Sequence, residues 1–289
     1  MIIQRLRGCD CGEYVVILQL CSSFCGKWVN ILAALMIVLL VMNVNKAIRD
    51  YLAAAGVKRL GLKAALIDMD GVLYDSMRNH TAAWHRMASE LGIDCCREEF
   101  YLYEGMTGAA TIDILFNRAY GHPATPDEAR ELYARKARYF AEQGEPAVMP
   151  GAGQMLATLR HSGIGRVLVT GSGQQSVLDR LDRDYPGIFL PGKRVTAHNV
   201  THGKPHPEPY LRGMEMAGCT ATECMVIENA PLGVQAGKAA GCFTVAVTTG
   251  PIPRERLVES GADLVYGSMP EFAGALPGLI EAMRSTTID

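Results

Sequence analysis

Five stretches of the chain are short apolar runs that break off into polar or glycine residues. They are KAALIDMDG from Lys63, GRVLVTGSG from Gly165, ECMVIENAP from Glu223, CFTVAVTTG from Cys242 and ADLVYGS from Ala262. Continuous rather than alternating apolar residues suit strands buried on both faces, as in a parallel sheet covered by helices. Helical spacing fills the intervals between the later runs, so the pattern predicts an α/β fold built from strand–helix units. In such sheets ligands bind at the carboxyl ends of the strands, where each of these runs turns polar.

Between the first two runs the character changes. HTAAWHRMASELGI, TGAATIDILFNRAY and PDEARELYARKARYFAEQ each space their apolar residues as helices, and GHPATP and GEPAVMPG supply turns. The pattern predicts a helical insertion over residues 76–148 in a sheet domain made of residues 42–75 and 149–289. No internal repeat or low-complexity linker is visible.

Residues 1–41 form an N-terminal extension. Its apolar segment Trp28 to Val44 spans seventeen residues, short of the roughly 20 a membrane helix needs. Two expectations follow: a start assigned too far upstream, with Met42 opening an ordinary cytoplasmic chain, or an anchor through residues 28–44. The first is preferred.

Composition adds exclusions. A net charge of −2 over 289 residues offers no basic surface for nucleic acid. Of nine cysteines, Cys9, Cys11, Cys21 and Cys25 crowd the N-terminus. Cys95, Cys96, Cys219, Cys224 and Cys242 have no zinc or redox spacing, which suits free thiols in a reducing compartment.

The chemistry gathers at strand ends. In AALIDMDGVLYDSM, Asp68 and Asp70 close the first run and Gly71 lets the chain turn. Two neighbouring carboxylates can hold a hard cation, and one can attack phosphorus while the other handles a proton. Thr170, followed by Gly171 and Ser172, offers a hydroxyl and accessible backbone N–H groups suited to phosphate oxygens. Lys204 stands in the proline-stiffened HGKPHPEPY, and Glu228 and Asn229 end another run. Taken singly each has a plain structural explanation; their order along four strand ends does not.

These motifs, DMDGVLYDS, VTGSG, GKPHPEPY and VIENAPLGVQAGKAAG, resemble the haloacid dehalogenase superfamily. The resemblance runs from Lys63 to Glu271, and the insertion looks like the small helical cap of the β-phosphoglucomutase-like branch. It implies a Rossmann-like parallel sheet core flanked by helices, with a small helical cap domain inserted after the first strand. It further implies Asp68 as nucleophile, Asp70 as general acid and base, and Thr170 and Lys204 as the groups that steady the phosphoryl charge. Gly171, Ser172, His80 and Glu104 would meet the substrate. Mg²⁺ would be the cofactor, held by Asp68, the backbone carbonyl of Asp70, and acids or amides among Glu228, Asn229 and Glu104.

Two departures bear on substrate. Many relatives carry two acids in the fourth motif where this chain has Glu228 then Asn229, and Gly105 to Leu115 contains no Lys or Arg to receive a sugar's distal phosphate. With Glu104 as a cap acid, the set looks like the inorganic pyrophosphatase group of the branch. The expectation is therefore a Mg²⁺-dependent phosphohydrolase acting on pyrophosphate. The alternative is a phosphatase for small phosphate monoesters such as sugar phosphates, or a β-phosphoglucomutase. A third reading, from another class, is a membrane-tethered protein that binds a phosphate ligand without catalysis. Its partner in each case is a small phosphorylated compound; oligomeric state is not legible.

Overall fold

The computed structural model describes residues 42–289. The N-terminal extension, with all of the Trp28–Val44 segment except its last three residues, lies outside the described residues. Among these, no helix is long and apolar enough to cross a membrane. The chain enters through helix α1 (42–55), whose Val44, Ile48, Tyr51 and Leu52 recur at helical spacing and bury against the sheet. Tyr51 also donates its hydroxyl to the Gly241 carbonyl at 2.7 Å.

The five apolar runs form β1 (Ala64–Ile67), β4 (Gly165–Val169), β6 (Cys224–Glu228), β7 (Phe243–Val247) and β8 (Leu264–Tyr266). With a two-residue edge strand β5 (Arg194–Val195) they make one six-stranded sheet, ordered β5-β4-β1-β6-β7-β8 and parallel throughout. All four residues of β1 and all five of β6 and β7 are buried, which is why these runs do not alternate. Helices α5 (Ala152–His161), α6 (Gln175–Asp184), α7 (Glu208–Ala217), α8 (Pro231–Ala239), α9 (Arg254–Glu259) and α10 (Met269–Ser285) follow strands or precede them and flank the sheet. The observed class is the α/β fold that the runs predict, in the Rossmann-like arrangement that the resemblance implies.

A two-stranded antiparallel ribbon interrupts this pattern. β2 (Tyr74–Asp75) pairs with β3 (Ala147–Val148), Tyr74 opposite Val148 and Asp75 opposite Ala147. Between them run three helices, α2 (Met77–Glu90), α3 (Gly108–Tyr120) and α4 (Pro126–Ala141). They enclose their own apolar cluster, with Trp84, Met87, Phe100, Ile112, Leu115 and Leu132 at its centre. Thr125 and Glu128 start α4 with a reciprocal capping box. The α2–α4 layer sits over the carboxyl ends of β1 and β4.

Candidate active site

Asp68 is the first residue beyond β1, and its N–H continues the ladder to the Ile227 carbonyl at 3.0 Å. Gly71 then turns the chain with φ of +84°, and a Cβ there would lie 2.0 Å from Asn229 Nδ2. No other residue satisfies both demands. The turn therefore fixes Asp68 and Asp70 against the end of β6.

Lys204 is the hub of the buried charges. Its Nζ donates to Asp68 Oδ1 at 2.5 Å, to Glu228 Oε1 at 2.6 Å and to the Val169 carbonyl at 3.2 Å, which uses all three of its hydrogens. Burial alone would lower the lysine, but Asp68 and Glu228 hold its pKa well above the ordinary value. Glu228 is equally committed: Oε1 also accepts the Tyr210 hydroxyl at 2.6 Å, and Oε2 accepts the N–H groups of Asn229 and Ala230 at 2.9 and 3.2 Å. Four donors fill the four acceptor positions of one carboxylate. Glu228, which the resemblance offers as a metal ligand, is thus occupied as the partner that orients Lys204.

Asn229 behaves differently. Its Nδ2 donates to Glu104 Oε1 at 2.8 Å, across from the helical layer to the sheet. Its Oδ1 is buried and accepts no hydrogen bond. A buried amide oxygen without a partner costs stability unless something fills its lone pairs. Burial pushes Glu104 well above the usual carboxylate range despite the bond from Asn229, and Asp68, Glu228 and Asp70 push it further. Burial likewise drives Asp68 up; Lys204 opposes this, and Glu228 and Asp70 reinforce it. These groups form an oxygen-only donor set short of positive charge, which fits a small hard cation such as Mg²⁺. Asp68, the Asp70 carbonyl, Asn229 and Glu104 are the residues that would hold it.

Asp70 faces the helical layer. Its Oδ1 accepts the Ser76 hydroxyl at 2.5 Å and lies 3.0 Å from His80 Nε2. His80 Nδ1 is in turn 2.6 Å from Lys136 Nζ. The lysine donating to Nδ1 leaves Nε2–H to donate to Asp70, so the chain of bonds selects one tautomer of the neutral ring. Burial raises Asp70, but His80, Ser76 and Lys136 outweigh it and hold the carboxyl below its ordinary range. Burial also lowers His80, with Lys136 adding to the effect. Lys136 is brought down to about 7, chiefly by burial.

The loop after β4, whose Thr170, Gly171 and Ser172 the sequence offers to phosphate oxygens, also lines the site. Thr170 Oγ1 accepts the Ser172 N–H at 3.0 Å and so shapes the turn. Gly171 lets the layer above come close, for a Cβ there would lie 2.6 Å from the Gly105 carbonyl oxygen. From α4, Tyr133 reaches down to accept the Gly173 N–H at 3.3 Å. A cavity of about 60 Å³ remains, lined by Asp68, Asp70, His80, Glu104, Thr170 and Ser172 among others. That is room for a handful of waters.

The structure therefore brings Asp68, Asp70, His80, Glu104, Thr170, Gly171, Ser172, Lys204, Glu228 and Asn229 to one place. Sequence reasoning missed Ser76, Tyr133, Lys136 and Tyr210. Ser76 and Tyr210 stand inside the quoted motifs, and Lys136 had a signal of its own. Leu132, Lys136 and Phe140 share the buried face of α4, so a cation interrupts an apolar stripe. Trp84 packs in the helical layer, stacked on Phe100 with ring centroids 6.3 Å apart.

A family model for haloacid dehalogenase-like hydrolases matches residues 62–241. The chain belongs to that family, within its β-phosphoglucomutase-like branch. It is 34% identical to hexitol phosphatase A of Escherichia coli (strain K12) over 209 residues, covering 72% of this chain and 92% of that one. It is 31% identical to glycerol-1-phosphate phosphohydrolase 2 of Saccharomyces cerevisiae, covering 72% of this chain and 84% of the relative. Among solved structures, one described as a candidate β-phosphoglucomutase of Bacteroides vulgatus is 45% identical, with a TM-score of 0.81 over 84% of this chain and 99% of that one.

Proposed function

We propose that the chain is a phosphohydrolase that moves a phosphoryl group onto Asp68 and then to water, with small phosphate esters as its substrates. The observation that carries this reading is Asp68, buried in the wall of the cavity, bonded to Lys204 and sharing that lining with Thr170, Gly171 and Ser172. The relatives named for hexitol and glycerol phosphates favour esters over the pyrophosphate expectation.

In this reading an Asp68 oxygen attacks phosphorus, the bond to the leaving oxygen breaks, and Asp70 manages the proton at that oxygen. Water then attacks the aspartyl-phosphate, giving its proton to Asp70 and restoring Asp68. Lys204, Thr170 and the N–H groups of the following loop meet the charge on the phosphoryl oxygens, where most of the gain in such a transition state lies. Asp68, the Asp70 carbonyl, Asn229 and Glu104 would hold Mg²⁺, which would supply further charge neutralisation. Residues 76–148 act as the cap, and its contacts through Glu104, Tyr133 and Lys136 tie closure to completion of the site.

A second reading, pyrophosphate hydrolysis, is favoured by one contact, the Glu104–Asn229 bond over a small cavity. It also suits an Asp70 held in its basic form, since phosphate leaves with little help from an acid. Acid quenching during turnover, followed by intact-mass measurement, tests the shared chemistry: wild type should carry a phosphoryl adduct that Asp68→Asn lacks. An adduct that persists in Asp68→Asn would place the nucleophile elsewhere.

A further inference from the structure

The loop that delivers Lys204 carries a second group of ligand atoms on its outer side. His202, His206 and Glu208 each bring one ligand atom within 4.8 Å of the others. The two imidazole rings lie 4.7 Å apart, and His202 Nδ1 is 3.1 Å from Glu208 Oε2. The carboxylate is fixed in place, because Oε1 accepts the Thr201 N–H at 3.0 Å and Oε2 the His202 N–H at 2.9 Å. Those two bonds bring its pKa down to about 2. The Glu208 N–H donates to His206 Nδ1 at 3.1 Å, closing the group on itself. Pro205 and Pro207 stiffen the segment, and buried Lys204 anchors it from within.

We propose that His202, His206 and Glu208 form a surface site for a divalent transition-metal ion of the zinc, nickel or cobalt class, separate from the oxygen ligands of the cavity. Two imidazoles and one carboxylate suit such ions, whereas Mg²⁺ prefers oxygen alone. Ligand atoms around a tetrahedral zinc lie about 3.4 Å apart given bonds near 2.0–2.1 Å. The three ligand atoms, within 4.8 Å of one another, would close to that spacing around the ion. As the ion takes His202 Nδ1, the ring proton that faced Glu208 moves to Nε2. His206 releases the Glu208 N–H, so the two hydrogen bonds at the imidazoles are exchanged for coordinate bonds. Three protein ligands leave a position for water, and the two histidine ligands stand two residues to either side of Lys204 along the chain.

The inference does not depend on the proposed reaction. The test is a Zn²⁺ titration of the full chain at saturating Mg²⁺, read by competition with a chromophoric chelator. Wild type, His202→Ala, His206→Ala and the double variant are compared. The expected result is one equivalent of Zn²⁺ in wild type that binds at least tenfold more weakly in each single variant and is lost from the double variant. Unchanged metal-free melting temperatures would show that the loop is intact. Equal Zn²⁺ binding in all four proteins, or none in wild type, would overturn the site.

Discussion

Asn229 and Glu104 meet across the seam between the sheet and the helical layer, Nδ2 to Oε1 at 2.8 Å, and leave Asn229 Oδ1 buried without a partner. An amide that gives its N–H₂ to the helical layer and keeps a free buried oxygen would, on the proposed reading, couple a bound cation to that layer's contact with the sheet. Asn229→Ala should raise the Mg²⁺ concentration for half-maximal activity by about 10–100-fold, a typical loss when a group supporting a metal site is removed. An unchanged Mg²⁺ dependence would remove Asn229 from the metal shell. Glu104→Gln tests the pyrophosphate reading: a selective loss with pyrophosphate favours that substrate, and unchanged pyrophosphate turnover argues against it.

Glu228 and Lys204 form a buried pair whose remaining bonds are all satisfied. Removing one partner of such a pair costs about 3–5 kcal/mol, because the other charge stays buried. Lys204→Met should lower unfolding free energy on that scale and abolish turnover. Glu228→Gln should fold better than Lys204→Met yet reduce kcat, since one neutral amide oxygen replaces two charged ones among the four donors and holds Lys204 less firmly against Asp68. Equilibrium urea unfolding alongside steady-state kinetics checks both, and a Glu228→Gln enzyme with wild-type kcat would contradict the positioning role.

Lys136 gives stability a pH signature. Its pKa is about 7 in the folded chain against the ordinary 10.5. Between those values the unfolded chain holds a proton that the native chain lacks, so stability rises with pH across the window. This group contributes up to about 1.4 kcal/mol per pH unit. Urea unfolding of wild type at pH 7.5 and pH 9 should show that gain, and Lys136→Met should flatten it. Equal slopes in the two proteins would mean the lysine stays charged when folded.

Tyr133 roofs the cavity. Its hydroxyl accepts the Gly173 N–H, and its ring lies so close over Gly108 that a Cβ there would fall 2.1 Å from it. Tyr133→Ala should shift the ratio of kcat/KM for bulky against compact phosphate esters by about tenfold or more toward the bulky ones, the scale set by a few methylene volumes. Tyr133→Phe keeps the roof and should leave that ratio within about threefold. Loss of activity on every substrate in Tyr133→Ala, with the ratio unchanged, would contradict a size-limiting role.

Much of this was legible in the chain because strands buried on both faces write themselves as unbroken apolar runs. β1, β4, β6, β7 and β8 fall within the five runs, and α3 and α4 within their quoted segments, while α2 starts at Met77, three residues before the HTAAWHRMASELGI segment. The edge strand β5 was not legible: two residues carry no period, and Arg194 is only partly buried. The chemistry at the strand ends was readable as a set, while its wiring was not. A sequence cannot show that Glu228 spends its oxygens on Lys204, Tyr210 and two backbone N–H groups, nor that Ser76 turns from its own helix to Asp70. Lys136 shares the apolar stripe of Leu132 and Phe140, a signal of burial, but only the fold shows that it meets His80.

The most direct measurement is kcat/KM for phosphate release, at saturating Mg²⁺, across compact sugar and polyol phosphates, bulkier monoesters and pyrophosphate, for wild type and Asp68→Asn. The account predicts turnover by wild type with a preference for a compact ester, and loss of all of it in Asp68→Asn. A preference for pyrophosphate would transfer the conclusion to the second reading. Phosphate release that survives Asp68→Asn, or none from any substrate by wild type, would contradict the account.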